Sequence, residues 1–477
     1  MDAERQITPL HHVACDYPLA TPHGSSIRVL ITEDGVSPVL LDWFLAPRNR
    51  NKSRTWQRGY AQAFGLFYDF ARQRGHVYER GSNQREVLSD FAEALLCGTI
   101  QPGGDDESGL FWPKLSFGVA DAHIRRLTKL SDFCVERHGN EALNPWIAAD
   151  WSERLAQFRL WDVGNQRSLL KHLGDRRAAW DRTAHARDFD LGPGPKIDPS
   201  RPPYFPPSKF ADLIKDGFSV PSRNGRGPLH LRMHVRDMMI AILQGAGGLR
   251  ESEPFHLFLD DVREDPRAAG SALVRIHHPS EGKYRTFNRT DRKWHTRSRE
   301  EFLREQGLCP RHKVGQLNLF AGWKDPLLVK EKSGDFYMEV QWFPVWWGEI
   351  FWSLYRSYLR VRPVTKHPFL FVTHRGADSG GPYTIKQYNK KLARAVGLVG
   401  VEPVKETGGT SHGLRHHYGQ ILADAGVEMT VIQKAMHHKS PESTAIYTRP
   451  EADKVNRILS GAVAQQERIE LPSLMGG

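Results

Sequence analysis

Cysteine is scarce in this chain: Cys15, Cys97, Cys134 and Cys309 are the only four in 477 residues, and they lie far apart. No CxxC pair forms, which argues against a zinc knuckle or dithiol redox motif and points to reduced, cytosolic thiols. No apolar run reaches the roughly 18 residues a membrane helix needs. No apolar segment follows the start Met1-Asp2-Ala3-Glu4-Arg5, so no secretory leader is expected and the expected location is cytoplasmic. Acidic residues are outnumbered, 55 against 66 Lys and Arg, for a net charge of +11 and a pI near 9.4. Such an excess favours a polyanionic partner, most simply nucleic acid, through counterion release. Alone it decides nothing, since many basic proteins bind no nucleic acid. Internal repeats and low-complexity tracts are also missing.

What is present divides the chain. Residues 1–35 show no strong periodicity and read as an arm. Helices are predicted over Ser53–Arg74, from the recurrence of Trp56, Tyr60, Ala63, Phe67 and Phe70 before Gly75, and over Val119–His138, with Ala120, Ile124, Leu127, Ser131 and Cys134 on one face. A further helix is expected over 165–182. Together these predict an all-helical domain over 36–185. Arg125, Arg126 and Lys129 lie off the apolar stripe, placed either to meet DNA backbone or simply to be solvated. The stretch 186–224 is dense in proline from Pro193 to Pro207 and reads as a semi-extended linker.

Beyond it a helix is expected over 231–244, ending at Gly245-Ala246-Gly247-Gly248. Strands are expected at 255–259, 272–277 and 337–343, with a basic insertion at about 284–322 between the last two. Pro344 is expected to open an aromatic helix through Trp346, Trp347, Phe351 and Tyr355 to about Arg362. Phe369–Val372 reads as buried, and Thr384 as the cap of a helix carrying Tyr388 and Leu392. This region, 225–450, is predicted as mainly α with a small antiparallel sheet, an α+β fold. Residues 451–477 are a tail with one short apolar pattern, Val455, Ile458, Leu459 and Val463.

The chemistry concentrates near the C-terminus. Ser411-His412-Gly413-Leu414-Arg415-His416 is followed by His438 and then Tyr447. Cleaving a phosphodiester needs cations on the non-bridging oxygens, an in-line nucleophile and a proton for the departing oxygen. Arginine, imidazole and phenol can supply these, although a free tyrosine, with a pKa of about 10, needs help losing its proton. Upstream, Gly248-Leu249-Arg250 and Glu253 offer a second guanidinium after a glycine-rich turn.

These boxes in this order resemble the tyrosine recombinase, or phage integrase, family. The resemblance covers about 225–450 by motif. It implies a helical core-binding domain followed by an integrase-type catalytic domain, the two clamping duplex DNA. It implies that Arg250 and Arg415 grip the scissile phosphate, that His412 contacts it and transfers protons, that His438 hydrogen-bonds it, and that Tyr447 attacks it. The product would be a 3′-phosphotyrosine and a free 5′-hydroxyl. Glu253 would buttress the site, and His416 would be structural. The family's general-acid lysine, on a β-hairpin, is left open between Lys332 and Lys324, with Lys330 and Lys283 behind them. Neither metal nor other cofactor would be needed. The partners would be double-stranded DNA, three further copies of the chain on two DNA sites, and accessory DNA-bending proteins. His437 stands where the family usually has glycine, a departure that bears on the local turn.

Three rivals remain in view: a type IB topoisomerase-like relaxation, a non-catalytic DNA-binding relative, and a metal-dependent hydrolase using His412, His416 and His438. The last has i, i+4 histidines but no HExxH glutamate. An integrase of a mobile element is the expected biological role, by analogy.

Overall fold

The computed structural model of the protein describes residues 7–18, 26–49, 52–78, 84–166, 175–192, 194, 201–220, 228–288, 291–315, 318–331, 334–374, 376 and 378–448. The chain forms two compact units, Met1–Ile197 and Asp198–Gly477.

In the first unit, β1 (His12–Pro18), β2 (Ser26–Thr32) and β3 (Gly35–Val36) form an antiparallel sheet. Helices α1 (Pro38–Leu45), α2 (Arg54–Tyr78), α3 (Gln84–Cys97) and α4 (Phe117–His138) follow. Then come β4 (Trp146–Ala148), α5 (Trp151–Gln166), α6 (Arg176–Arg182) and β5 (His185–Arg187), with β4 pairing β5. One core gathers Leu66, Phe70, Phe91, Trp112, Ile124 and Leu127, and another gathers Ile27, Leu30, Trp43, Tyr60 and Phe133.

Three expectations change here. The presumed arm is largely a sheet, because Ile27 and Leu30 bury against the second core and the His12 ring meets the buried Asp69 carboxylate at 2.8 Å. Within 36–185 the helices are joined by the short β4 and the start of β5; β1 and β2, seven residues each, show no in-and-out alternation of burial. Helix α2 runs past Gly75 to Tyr78. The helix expected over 165–182 is two, α5 and α6, the second capped by the Asp175 carboxylate accepting from the Arg177 and Ala178 amides; residues 167–174 lie outside the described residues.

The second unit is mainly helical with a small antiparallel sheet. It comprises α7 (Pro207–Asp212), α8 (Leu229–Arg232), α9 (Val235–Gly245), β6 (Val262–Asp265), β7 (Ala268–His277), β8 (Lys283–Asn288), β9 (Lys293–Ser298) and α10 (Arg299–Glu305). After these come β10 (Val329–Lys330), β11 (Phe336–Glu339), α11 (Trp347–Leu359), α12 (Ile385–Leu398), α13 (Ser411–Asp424), α14 (Met429–Ala435) and α15 (Glu442–Thr448). The sheet order is β10-β11-β7-β6, and β8 pairs with β9 apart from it. Helix α9 is buried on all sides against α11, α12 and α13, and Met239, Ile242 and Leu243 are fully enclosed.

Part of the expected linker is core. Phe205, Phe210, Leu213, Ile214 and Phe218 are buried with α9 and α12, so the chain is already in the domain by residue 205. The helix expected over 231–244 breaks at Met233, whose backbone bridges Ser219. The strand expected at 255–259 is instead a 3₁₀ turn, Glu253–His256. Pro254 has no N–H for a ladder, and the Glu253 carboxylate accepts the Arg250 amide, curling the chain. The aromatic helix starts at Trp347, three residues after Pro344. Residues of the tail fall outside the described set.

Candidate active site

Helix α9 ends in a turn that depends on Gly248. Its φ is +70°, and a Cβ there would lie 2.5 Å from the Tyr418 ring. The turn delivers Arg250 to a half-buried position. Its backbone N–H and its Nη1 donate to the two oxygens of Glu253, each at 2.7 Å. Glu253 is 1% exposed and also faces Arg415, 3.9 Å away. One carboxylate thus holds two guanidiniums in register, which partly offsets the cost of burying three charges.

Arg415 comes from α13, whose first turn is capped by the Thr410 hydroxyl accepting the Gly413 amide. Its guanidinium donates to the carbonyls of Gly248 and Met436, the latter at 2.8 Å. Burial pulls it down to about 10, with Glu253 opposing. Arg250 and Arg415, 165 residues apart in sequence, therefore share one partner.

Tyr447, on α15, is 2% exposed. Its hydroxyl lies 2.7 Å from His416 Nδ1. Burial pushes the phenol up to about 12, while Arg415 and Arg250 pull the other way. The His438 ring stacks nearly parallel to Tyr447 at 6.3 Å and holds the Thr444 hydroxyl with Nδ1 at 2.8 Å. The His412 ring keeps an exposed edge and packs edge-on to His416 at 4.3 Å. Burial, then His412 and Arg415, lowers His416 to about 3; burial, then Arg415 and Arg250, lowers His438 to about 3. Both imidazoles are therefore neutral near pH 7.

The structure therefore brings Arg250, Glu253, His412, Arg415, His416, His438 and Tyr447 together. His416, expected to be structural, makes the direct contact with the phenol. His437 adopts φ +55°, the conformation a glycine would take there. Sequence reasoning missed Gly419, where a Cβ would press within 2.8 Å of the Tyr447 ring, and Lys405, whose charge acts on His412 and His416. A glycine one helical turn beyond Arg415 was the available signal for the first; a lysine in a loop gave none for the second.

Of the two lysines, Lys332 lies outside the described residues. Lys324 is exposed on a loop tied at both ends to the site. The Ser252 hydroxyl donates to the Gly322 carbonyl at 2.5 Å, and the Leu327 amide donates to the His437 carbonyl at 3.1 Å. Lys439 pairs with Asp325 between them. Lys324 is among the charges that lower His412.

In the first unit, Arg125 is exposed and paired with Asp121 at 2.8 Å, Lys129 is exposed, and the Arg126 guanidinium lies over Gly59 of α2. Among the described residues no group of three or more His, Cys, Asp or Glu has the geometry to hold a metal ion. His416 and His438 point Nδ1 at hydroxyls instead. No described helix is long and apolar enough to cross a membrane.

The chain is similar to several known proteins. A tyrosine recombinase, XerA from Pyrococcus furiosus, is 30% identical over 124 residues, which are 26% of this chain and 38% of that protein. Among solved structures, XerH site-specific recombinase bound to difH substrate aligns over 91% of this chain and 86% of that one, at 13% identity and a TM-score of 0.45. A lambda integrase dimer bound to a COC′ core site aligns over 91% and 98%, at 9% identity and a TM-score of 0.40. The phage integrase family model matches residues 349–454, the segment that supplies His412, Arg415, His416, His438 and Tyr447. Across that segment the chain is similar to the phage integrase family, and it spans well under half the length of the tyrosine recombinase it matches.

Proposed function

We propose that this protein performs site-specific strand exchange on duplex DNA as the integrase of a mobile element. The observation that carries the proposal is the convergence of two guanidiniums, bridged by Glu253, on a buried phenol already hydrogen-bonded to a neutral imidazole.

Arg250 and Arg415 receive the non-bridging oxygens of a phosphodiester, where charge builds in the transition state. Tyr447 Oη attacks phosphorus, and its proton passes to His416 Nδ1. Before DNA arrives, burial holds that proton on the phenol against the pull of Arg415 and Arg250, while burial and the nearby positive charge keep His416 a weak base. A bound phosphate cancels part of the positive charge, raises the basicity of His416 and so couples activation to substrate. The P–O5′ bond breaks as the Oη–P bond forms, and Lys324 protonates the departing 5′-oxygen. A 5′-hydroxyl from a second duplex reverses the step, and the ester conserves the bond energy. In this reading the segment 36–185 is a core-binding domain, 225–450 the catalytic domain, four copies assemble on two sites, and the tail from 451 docks on a neighbouring copy.

The test is covalent capture. The full chain is incubated with a library of randomised duplexes, adducts are isolated under denaturing conditions, and the attached DNA is sequenced. The expected result is a defined set of sequences, an adduct to Tyr447, and none with Tyr447→Phe. An adduct that persists in Tyr447→Phe refutes the nucleophile. A two-site assay on the recovered sequence, run beside supercoil relaxation, separates exchange from swivelling.

A further inference from the structure

The hairpin β8–β9 lies inside the insertion, outside the four-stranded sheet and outside the site just described. Its two faces differ. On the inner face Tyr284 packs on Phe302 at 4.4 Å and Phe258 at 5.3 Å, and its hydroxyl donates to Asp260 at 2.8 Å. Arg297 pairs with Glu305. Thr286, His295 and Arg297 are half-buried on this side. The hairpin is thereby anchored without help from its outer face.

The outer face carries Lys283, Arg285, Phe287, Trp294 and Thr296, all exposed. Phe287 and Trp294 sit directly opposite each other, 48% and 58% exposed, with ring centroids 5.4 Å apart. The Arg285 guanidinium stands 4.9 Å from the Trp294 ring. Lys293, opposite Asn288, belongs by alternation to the other face of the ribbon, near the turn. An aromatic pair that a hairpin does not need for its own packing, set among cations, calls for a partner. By register the outer face carries Lys283 and Arg285 and no acid, and Asp291 at the turn pairs with His295. A second copy of so basic a face would be repelled; a polyanion would not.

We propose that the outer face of this hairpin is a DNA-docking surface, a two-stranded ribbon set into a groove of the duplex with Arg285 on a phosphate and Phe287 and Trp294 against the groove wall. A two-stranded ribbon matches the width of the major groove. The proposal rests on the DNA reading above and assigns the insertion a role in holding the duplex rather than in chemistry.

The experiment is fluorescence anisotropy of the full chain with a labelled random-sequence duplex across a KCl series. It compares Arg285→Ser and Phe287→Thr/Trp294→Thr with the unaltered chain. Thermal melts check that both variants stay folded, as the inner-face anchor predicts. The charge variant should bind severalfold more weakly, with a salt slope shallower by about 0.9, for the one phosphate no longer neutralised. The aromatic variant should bind more weakly with the slope unchanged. Affinities and slopes equal to those of the unaltered chain would overturn the proposal while leaving the DNA reading intact. Loss of self-association with DNA binding unchanged would overturn it in favour of a protein partner. An unaltered chain that binds no duplex would overturn both.

Discussion

The catalytic cluster and the insertion both carry dense positive charge, yet they are built by opposite rules. In the cluster, Arg415, Glu253, His416 and Tyr447 are buried, and each is met by a named partner. A buried charge without a partner costs several kcal/mol, so residue type and spacing are tightly constrained. In the insertion, Arg285, Arg292 and Lys293 are exposed, water satisfies them, and only their sign matters. The lesson is that burial, more than charge, turns a group of residues into a readable motif.

Acid is the strongest way to break the contrast. Burial lowers His416 and His438 to about 3 and His417 and His437 to about 4, against about 6.5 when unfolded. Between those values the unfolded chain binds more protons than the folded one, so stability rises with pH. It is fully present above about 6.5 and is lost as pH falls toward 4. Thermal melts over this range should show the second unit failing early. A melting temperature flat from pH 7 to 4 would show that these rings are not neutral in the fold.

A substitution at the nucleophile's partner comes next. His416→Gln keeps a polar side chain beside Tyr447 but removes the basic nitrogen. Attachment to the captured DNA should slow by roughly 10²–10⁴-fold, the usual contribution of general-base catalysis, with partial rescue as pH rises. An unchanged rate and pH profile would return His416 to a packing role. Glu253→Gln then tests the bridge. It leaves two guanidiniums facing an amide, and the second unit should lose about 3 kcal/mol in denaturant melts. A loss under about 1 kcal/mol would mean Arg250 and Arg415 do not depend on that carboxylate.

The same contrast explains what the sequence made legible. The α13 and α15 boxes and the Arg250–Glu253 pair were readable because each is a short run at an element's end, where one cap or turn sets the geometry. The α+β class was readable from helix periodicity in α9, α11 and α12. The first sheet was not, since β1 and β2 do not alternate buried and exposed residues. The turn at 253–256 was not, because Phe255-His256-Leu257-Phe258 is as apolar as a strand and only the Glu253–Arg250 contact bends it. The linker was misjudged because proline marks where a chain cannot be helical, not whether it is buried; Phe205 and Phe210 are core. Lys324 could not be preferred from sequence because its place is set by Ser252 and His437, 72 residues before it and 113 after.

His437 marks the border between the two regimes, and it carries the smallest effect. It is buried beside Arg415, its carbonyl holds the loop bearing Lys324, and its backbone is at φ +55°. A side chain at positive φ costs about 1 kcal/mol that glycine avoids. His437→Gly and His437→Ala remove nearly the same side chain, so the cavity and the missing imidazole are common to both. Their difference isolates the backbone term. The glycine variant should be the more stable by about 1 kcal/mol, and it should hold Lys324 and His438 in place at least as well, with the higher attachment rate of the two. If alanine is the more stable, the turn does not require the left-handed conformation, and the loop that positions Lys324 is set by Ser252 and the Lys439–Asp325 pair instead.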